Sequence, residues 1–167
     1  MKNLLFFSFL VLSLASCMEL GFKEPMPIAA QNIASFPENM RGTYVSTSDT
    51  GDTVVVEATT VSNGKFRLDD DNVMRAMGKY YVISKREEGR WNLALIKPNG
   101  NNAFTLYGFD IADAKKRKTL TRITEVEEVL DAEGGLDYLF IQPTDKQFEK
   151  LVRSKCVRKA EKFKKIK

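Results

Sequence analysis

From Pro37 onward the chain alternates short apolar and polar positions in runs rich in Val, Tyr, Thr and Phe, broken by clusters of Gly, Asn and Asp. That texture predicts antiparallel sheet. Thr43 to Thr47, Thr53 to Val61 and Lys65 to Leu68 are the first predicted strands. They are joined through Asp49-Thr50-Gly51-Asp52 and through Asn63-Gly64, a strong two-residue hairpin signal. Lys79 to Lys85 and Arg90 to Lys97 form a second hairpin across Glu87-Glu88-Gly89, and alternation puts Trp91, Leu93 and Leu95 on one face. Asn99-Gly100-Asn101-Asn102 turns the chain into Ala103 to Phe109, with Phe104 and Leu106 on one side and Tyr107 and Phe109 on the other. Thr119 to Leu130 carries two patterns, a strand-like start and a Thr124-Glu125-Val126-Glu127 capping box that would open a short helix. Gly134-Gly135 ends it either way, and Tyr138 to Gln142 reads as a final strand.

One helix is clear. Thr144 and Gln147 form a capping box with Asp145 in the first turn, and Phe148, Leu151 and Val152 supply an apolar stripe that should dock on the sheet. Lys155 and Lys159 interrupt the helical recurrence of Cys156, Ala160 and Phe163, so the helix is expected to loosen near Cys156. The predicted fold is mainly β, a small antiparallel barrel or strongly curled sheet of about seven to eight strands with a C-terminal helix. Residues 37–152 form this domain and 153–167 a basic tail. Met18 to Phe36, with Pro25 and Pro27 and no sustained period, reads as a flexible tether with a reach of roughly 20 to 25 Å.

The N-terminus follows a different pattern. Leu4 to Ala15 is an apolar run behind Lys2, too short for a membrane span, which needs roughly 20 apolar residues. Residues 1–16 have the charged start, apolar middle and small-residue end of an export signal. Leu14-Ala15-Ser16-Cys17 resembles the lipobox of bacterial lipoproteins. The resemblance implies that Cys17 becomes the lipidated first residue of the mature protein, held in a membrane by acyl chains in which each buried methylene contributes about 0.8 kcal/mol. An ordinary secretory signal cut near Ser16 is the competing reading, with Cys17 incidental. By the sorting rule of that family, Met18 lacks the aspartate of inner-membrane retention, so the outer membrane is favoured, with the periplasmic or outer face left open.

Charge is unevenly placed. The whole chain is +4, but residues 145–167 hold ten Lys or Arg against three acids, a net +7, and Lys2 adds one, which leaves −4 for residues 3–144. The basic end, through Lys155, Arg158, Lys159, Lys162, Lys164 and Lys165, is a candidate contact for an anionic surface, against the reading of a solvated terminus. Nucleic acid is not expected as a partner, since the protein is read as exported and no aromatic-studded basic sheet face is evident in the sequence.

Candidate chemistry is sparse. With Cys17 lipidated, Cys156 has no partner for a disulfide, and it reads as a small buried hydrophobe rather than a reactive thiol. There is no histidine, which removes the usual zinc and copper ligand and the usual neutral-pH base. Asp49-Thr50-Gly51 has the letters of the aspartic-protease loop in the setting of a solvated turn. Ser62-Asn63-Gly64-Lys65 has Ser-x-x-Lys spacing across a hairpin instead of along a helix. Asp69-Asp70-Asp71-Asn72 lacks the sixth-position glycine of a calcium loop. No catalytic group, metal or cofactor is expected.

Gly42-Thr43-Tyr44 resembles the Gly-x-Trp start of the lipocalins, which also end with a helix against a barrel. Arg41-Gly42-Thr43-Tyr44, Lys79-Tyr80-Tyr81-Val82, Trp91 with its apolar strand, and Ile141-Gln142-Pro143-Thr144 resemble a set of Bacteroidota lipoproteins without a known activity. Two functions are therefore expected to compete. In the first a hollow barrel binds a small apolar or amphipathic ligand between Tyr44, Tyr80, Tyr81, Trp91, Phe104 and Tyr107. In the second a solid, tethered module meets an envelope protein or anionic polymer.

Overall fold

The computed structural model describes residues 19–48, 53–62 and 65–166. Cys17, the Asp49-to-Asp52 turn, the Asn63-Gly64 hairpin and Lys167 lie outside them. Twelve strands and two α-helices occur among the described residues. In chain order they are β1 Glu19–Phe22, β2 Gly42–Ser46, β3 Thr53–Val56, β4 Thr60–Val61, β5 Phe66–Arg67, β6 Asn72–Met77, β7 Tyr80–Glu87, β8 Arg90–Pro98, β9 Ala103–Phe109, α1 Ala114–Ile123, β10 Val126–Leu130, β11 Leu136–Ile141, α2 Asp145–Val152 and β12 Val157–Lys165.

The fold is mainly β, as expected, but seven to eight strands is an undercount and the sheet does not close into a barrel. Its order is β10-β11-β1-β8-β9-β12-β2-β3-β4-β5, with β7 on the other side of β8 and β6 beyond it. β5 and β6 do not pair. Instead the loop before β2 bridges the gap, where the Ile33 N–H donates to the Met74 carbonyl (2.8 Å) and the Phe36 N–H to the Ala58 carbonyl (2.7 Å).

The β7–β8 hairpin shows how the sequence sets the register. Glu88 (φ 51°) and Gly89 (φ 80°) both take the left-handed region, which a two-residue turn between right-twisted strands requires. Trp91, Leu93 and Leu95 then share a face with Val82, directly opposite Leu95. Ile96 and Tyr81 pair on the other face.

Each face of the sheet carries its own core. On the first, Phe22, Met26, Val82, Leu95, Ile111, Leu120, Leu139, Ile141, Phe148, Leu151, Val152 and Cys156 pack beneath α1 and α2. The second, inside the curl of β2 to β9 and β12, gathers Phe36, Met40, Tyr44, Val56, Val61, Phe66, Met74, Ile96, Phe104 and Phe163. Alternation within β9 feeds both, with Phe104 and Leu106 in one and Tyr107 and Phe109 in the other.

Four segments differ from their sequence reading. The expected tether is part of the fold from residue 19. β1 pairs with β11 and β8, and Phe22, Met26 and Phe36 are core residues. Its remainder is held by polar bonds that leave no periodicity. Arg75 donates to the carbonyls of Pro25 (2.6 Å) and Pro27 (2.9 Å), and the N–H groups of Ile28 and Ala29 donate to Asp145 (2.6 and 3.0 Å).

The expected basic tail contains β12, which lies between β9 and β2. A bulge between Lys159 and Glu161 breaks its alternation, so it does not read as a strand. Thr119 to Leu130 splits into the end of α1 and β10, and the predicted Thr53-to-Val61 strand into β3 and β4. β11 is not the final strand, and the C-terminal helix is α2, followed by β12.

Candidate functional site

The six candidate ligand-lining rings fall into two separate packed clusters. Tyr44, Tyr81 and Phe104 belong to the second core, whereas Tyr80, Trp91 and Tyr107 pack against the first. Tyr44 and Phe104 meet edge to face at 4.8 Å between centroids, and Phe104 stacks on Phe163 at 5.0 Å. Those three rings occupy the space a barrel lumen would need. Tyr44 is buried, its hydroxyl donates to the Met40 carbonyl (2.9 Å), and burial raises its pKa above the usual phenol value. Tyr80 and Tyr107 form their own perpendicular pair at 5.9 Å.

Two of the depressions on the surface of the described residues are sizeable, and neither of these two is lined by any of these rings. One, of about 480 Å³, lies over the edge strand β10 between Lys23, Glu125, Val126, Glu127, Phe140 and Gln142. The other, of about 320 Å³, lies between the Pro27-to-Ala30 segment, the β6–β7 turn and the start of α2.

The six candidate basic residues are also divided. Lys155 sits exposed in the turn after α2. Arg158 reaches back to Asp110 (Nε to Oδ2, 3.6 Å), and Lys165 lies over the Tyr44 ring (5.8 Å) at the mouth of the second core. Lys159, Lys162 and Lys164 face the other way, on the side that carries Tyr107 and Thr105. Lys97, absent from the sequence-level candidates, joins them, because it stands opposite Thr105, which in turn stands opposite Lys162.

Asp110 anchors the polar cluster at the start of α1. Its buried carboxylate accepts from Lys116 Nζ (2.6 Å) and the Ala112 N–H (3.1 Å). The Lys116 bond holds the Asp110 carboxyl below the usual range against the opposing effect of burial, and Asp110 in turn raises Lys116. Asp113 caps α1 by accepting from the Lys116 N–H (2.8 Å). Cys156 is buried beside this cluster, its thiol 3.4 Å from the Lys116 carbonyl oxygen. The Asp69-to-Asn72 stretch forms a turn in which Asp69 accepts from the Asp71 N–H (3.0 Å) and from Asn72 Nδ2 (2.9 Å).

Together these features define a β-rich domain with two filled cores, two helices against one of them, and a cationic strip on the sheet. Comparison with family models, curated proteins and solved structures finds no match.

Proposed function

We propose that the chain is a lipid-anchored envelope protein, attached through Cys17 to the outer membrane in preference to the inner, and that its domain is a solid, non-catalytic interaction module. The observation that carries the second half is the filled interior, in which Phe104 packs against both Tyr44 and Phe163 within the second core. The hollow-barrel reading needed Tyr44, Tyr80, Tyr81, Trp91, Phe104 and Tyr107 around one space, and these rings point into two cores. Partners then meet the outside of the sheet. The anchor rests on the likeness of Leu14-Ala15-Ser16-Cys17 to a lipobox. Cell fractionation of a Cys17→Ala variant tests it. The variant should leave the membrane fraction, and continued membrane association under high salt would overturn the anchor.

A further inference from the structure

Strand pairing lays out a small grid on the helix side of the sheet, since residues directly opposite one another in an antiparallel ladder share a face. Its first row is Leu95, Tyr107 and Lys159, across β8, β9 and β12. The next is Lys97, Thr105 and Lys162, and the last is Ala103, Lys164 and Val45, reaching β2. The apolar core under the helices includes Leu95 and Tyr107 and nothing beyond that first row.

From there outward the face is cationic. Lys159, Lys162 and Lys164 are exposed and Lys97 half-buried. Strands spaced about 4.8 Å apart, with same-face residues about 6.8 Å apart along each strand, put the four stems within roughly 15 Å.

No described acid neutralises them. The ion pairs of the described residues involve none of the four. Glu161, their neighbour on β12, stands opposite Leu106 and so faces the second core, where it accepts from the Ser48 hydroxyl. Asp110 is taken by Lys116 and Arg158. Between the lysines stand small or apolar groups, Ala103, Val45 and the buried Thr105, whose hydroxyl accepts from Asn99 Nδ2 (2.8 Å). Ile166, 56% exposed, continues the strip beyond Lys164. Interleaved cations and short apolar groups complement a layer of phosphate headgroups over acyl chains.

Chain length supplies the second argument, and it rests on the anchor proposed above. The first described strand starts at Glu19, two residues after Cys17, and two residues span at most about 7 Å. A domain so closely leashed cannot stand clear of the bilayer, and one of its surfaces has to rest on the headgroups. We propose that the face bearing Lys97, Lys159, Lys162 and Lys164 seats the domain on an anionic phospholipid surface, as a second attachment beside the acyl chains.

The test uses residues 17–167 with Cys17→Ser, which keep every described residue and carry no lipid, so it does not depend on whether Cys17 is acylated in cells. Binding is measured by co-sedimentation with vesicles of phosphatidylglycerol and phosphatidylcholine, and with phosphatidylcholine alone. Salt-sensitive binding to the anionic vesicles is expected. Lys162→Gln combined with Lys164→Gln, both at exposed positions, should weaken it about 30-fold, at about tenfold per 1.4 kcal/mol and about 1 kcal/mol per lysine. Lys146→Gln with Lys150→Gln, exposed on α2, should leave it unchanged. Equal binding to neutral vesicles, or equal losses in the two double variants, would overturn the assignment. So would tighter lysine-dependent binding to polygalacturonate than to the vesicles, which would make the occupant a polymer. Any of these results leaves the Cys17 anchor standing, because that is tested separately by fractionation.

Discussion

Replacing Phe163 by Ala separates a structural strand from a solvated tail. The side chain is 2% exposed, lies opposite Phe104 in the ladder, and stacks on it at 5.0 Å with 22° between the ring planes. A buried phenylalanine removes roughly 150 to 200 Å² of apolar surface from water, and at about 25 cal/mol per Å² that is about 4 to 5 kcal/mol. Truncations of core aromatics cost about 3 to 5 kcal/mol, so about 4 kcal/mol is expected. In urea, with a slope of about 2 kcal/mol per molar, the unfolding midpoint should fall by about 2 M at unchanged slope. Phe163→Leu should cost only about 1 to 1.5 kcal/mol, which keeps the test readable if the alanine variant is unfolded from the outset. A loss below about 0.5 kcal/mol in Phe163→Ala would show that β12 is not part of the second core.

Three further outcomes follow from local contacts. Asp110→Asn should destabilise the fold by about 2 kcal/mol at neutral pH by removing charged hydrogen bonds to Lys116 and the Ala112 N–H. The folded-state pKa of Asp110 is depressed, so its contribution is present above the usual carboxylate pKa and is lost as pH falls through the lower folded value. The wild-type advantage should therefore shrink in acid denaturant titrations, and a constant difference across that range would refute the ion-pair account. Thr144→Ala should cost about 1 kcal/mol in thermal unfolding, since it removes the cap to the Gln147 N–H, whereas no change would mean that α2 is fixed by packing alone. Arg75→Ala should raise hydrogen exchange across residues 25–33 more than in β8, because it releases the Pro25 and Pro27 carbonyls, and unchanged protection there would contradict the strapping role.

The sequence made some parts of this fold legible and concealed others for physical reasons. β8 and β9 could be read because an unbroken period of two maps directly onto two faces, and α2 because its capping box is local chemistry, with both reciprocal bonds present. Which core each ring joins could not be read, because Tyr44 and Tyr80 both lie in short β-patterned runs and their different cores come from elements far along the chain. α1 was hidden because only Leu120 is buried on it and its surface is Lys- and Arg-rich, although Asp113 ahead of Lys116 is a usable N-cap signal. β12 was hidden by its bulge and by four lysines and an arginine, which mimic a solvated terminus until pairing with β9 and β2 aligns Phe163 with the core. Lys97 joins the cationic grid only through the β8–β9 register, whereas Lys159, Lys162 and Lys164 already stood out in the basic C-terminal stretch.

The most direct test of the solid-module account is native mass spectrometry of the protein purified gently from membranes. The account predicts an acylated polypeptide that begins at Cys17 and carries no small molecule at fixed stoichiometry. A stoichiometric apolar ligand that survives purification and leaves on replacement of Tyr44 or Phe104 would contradict it.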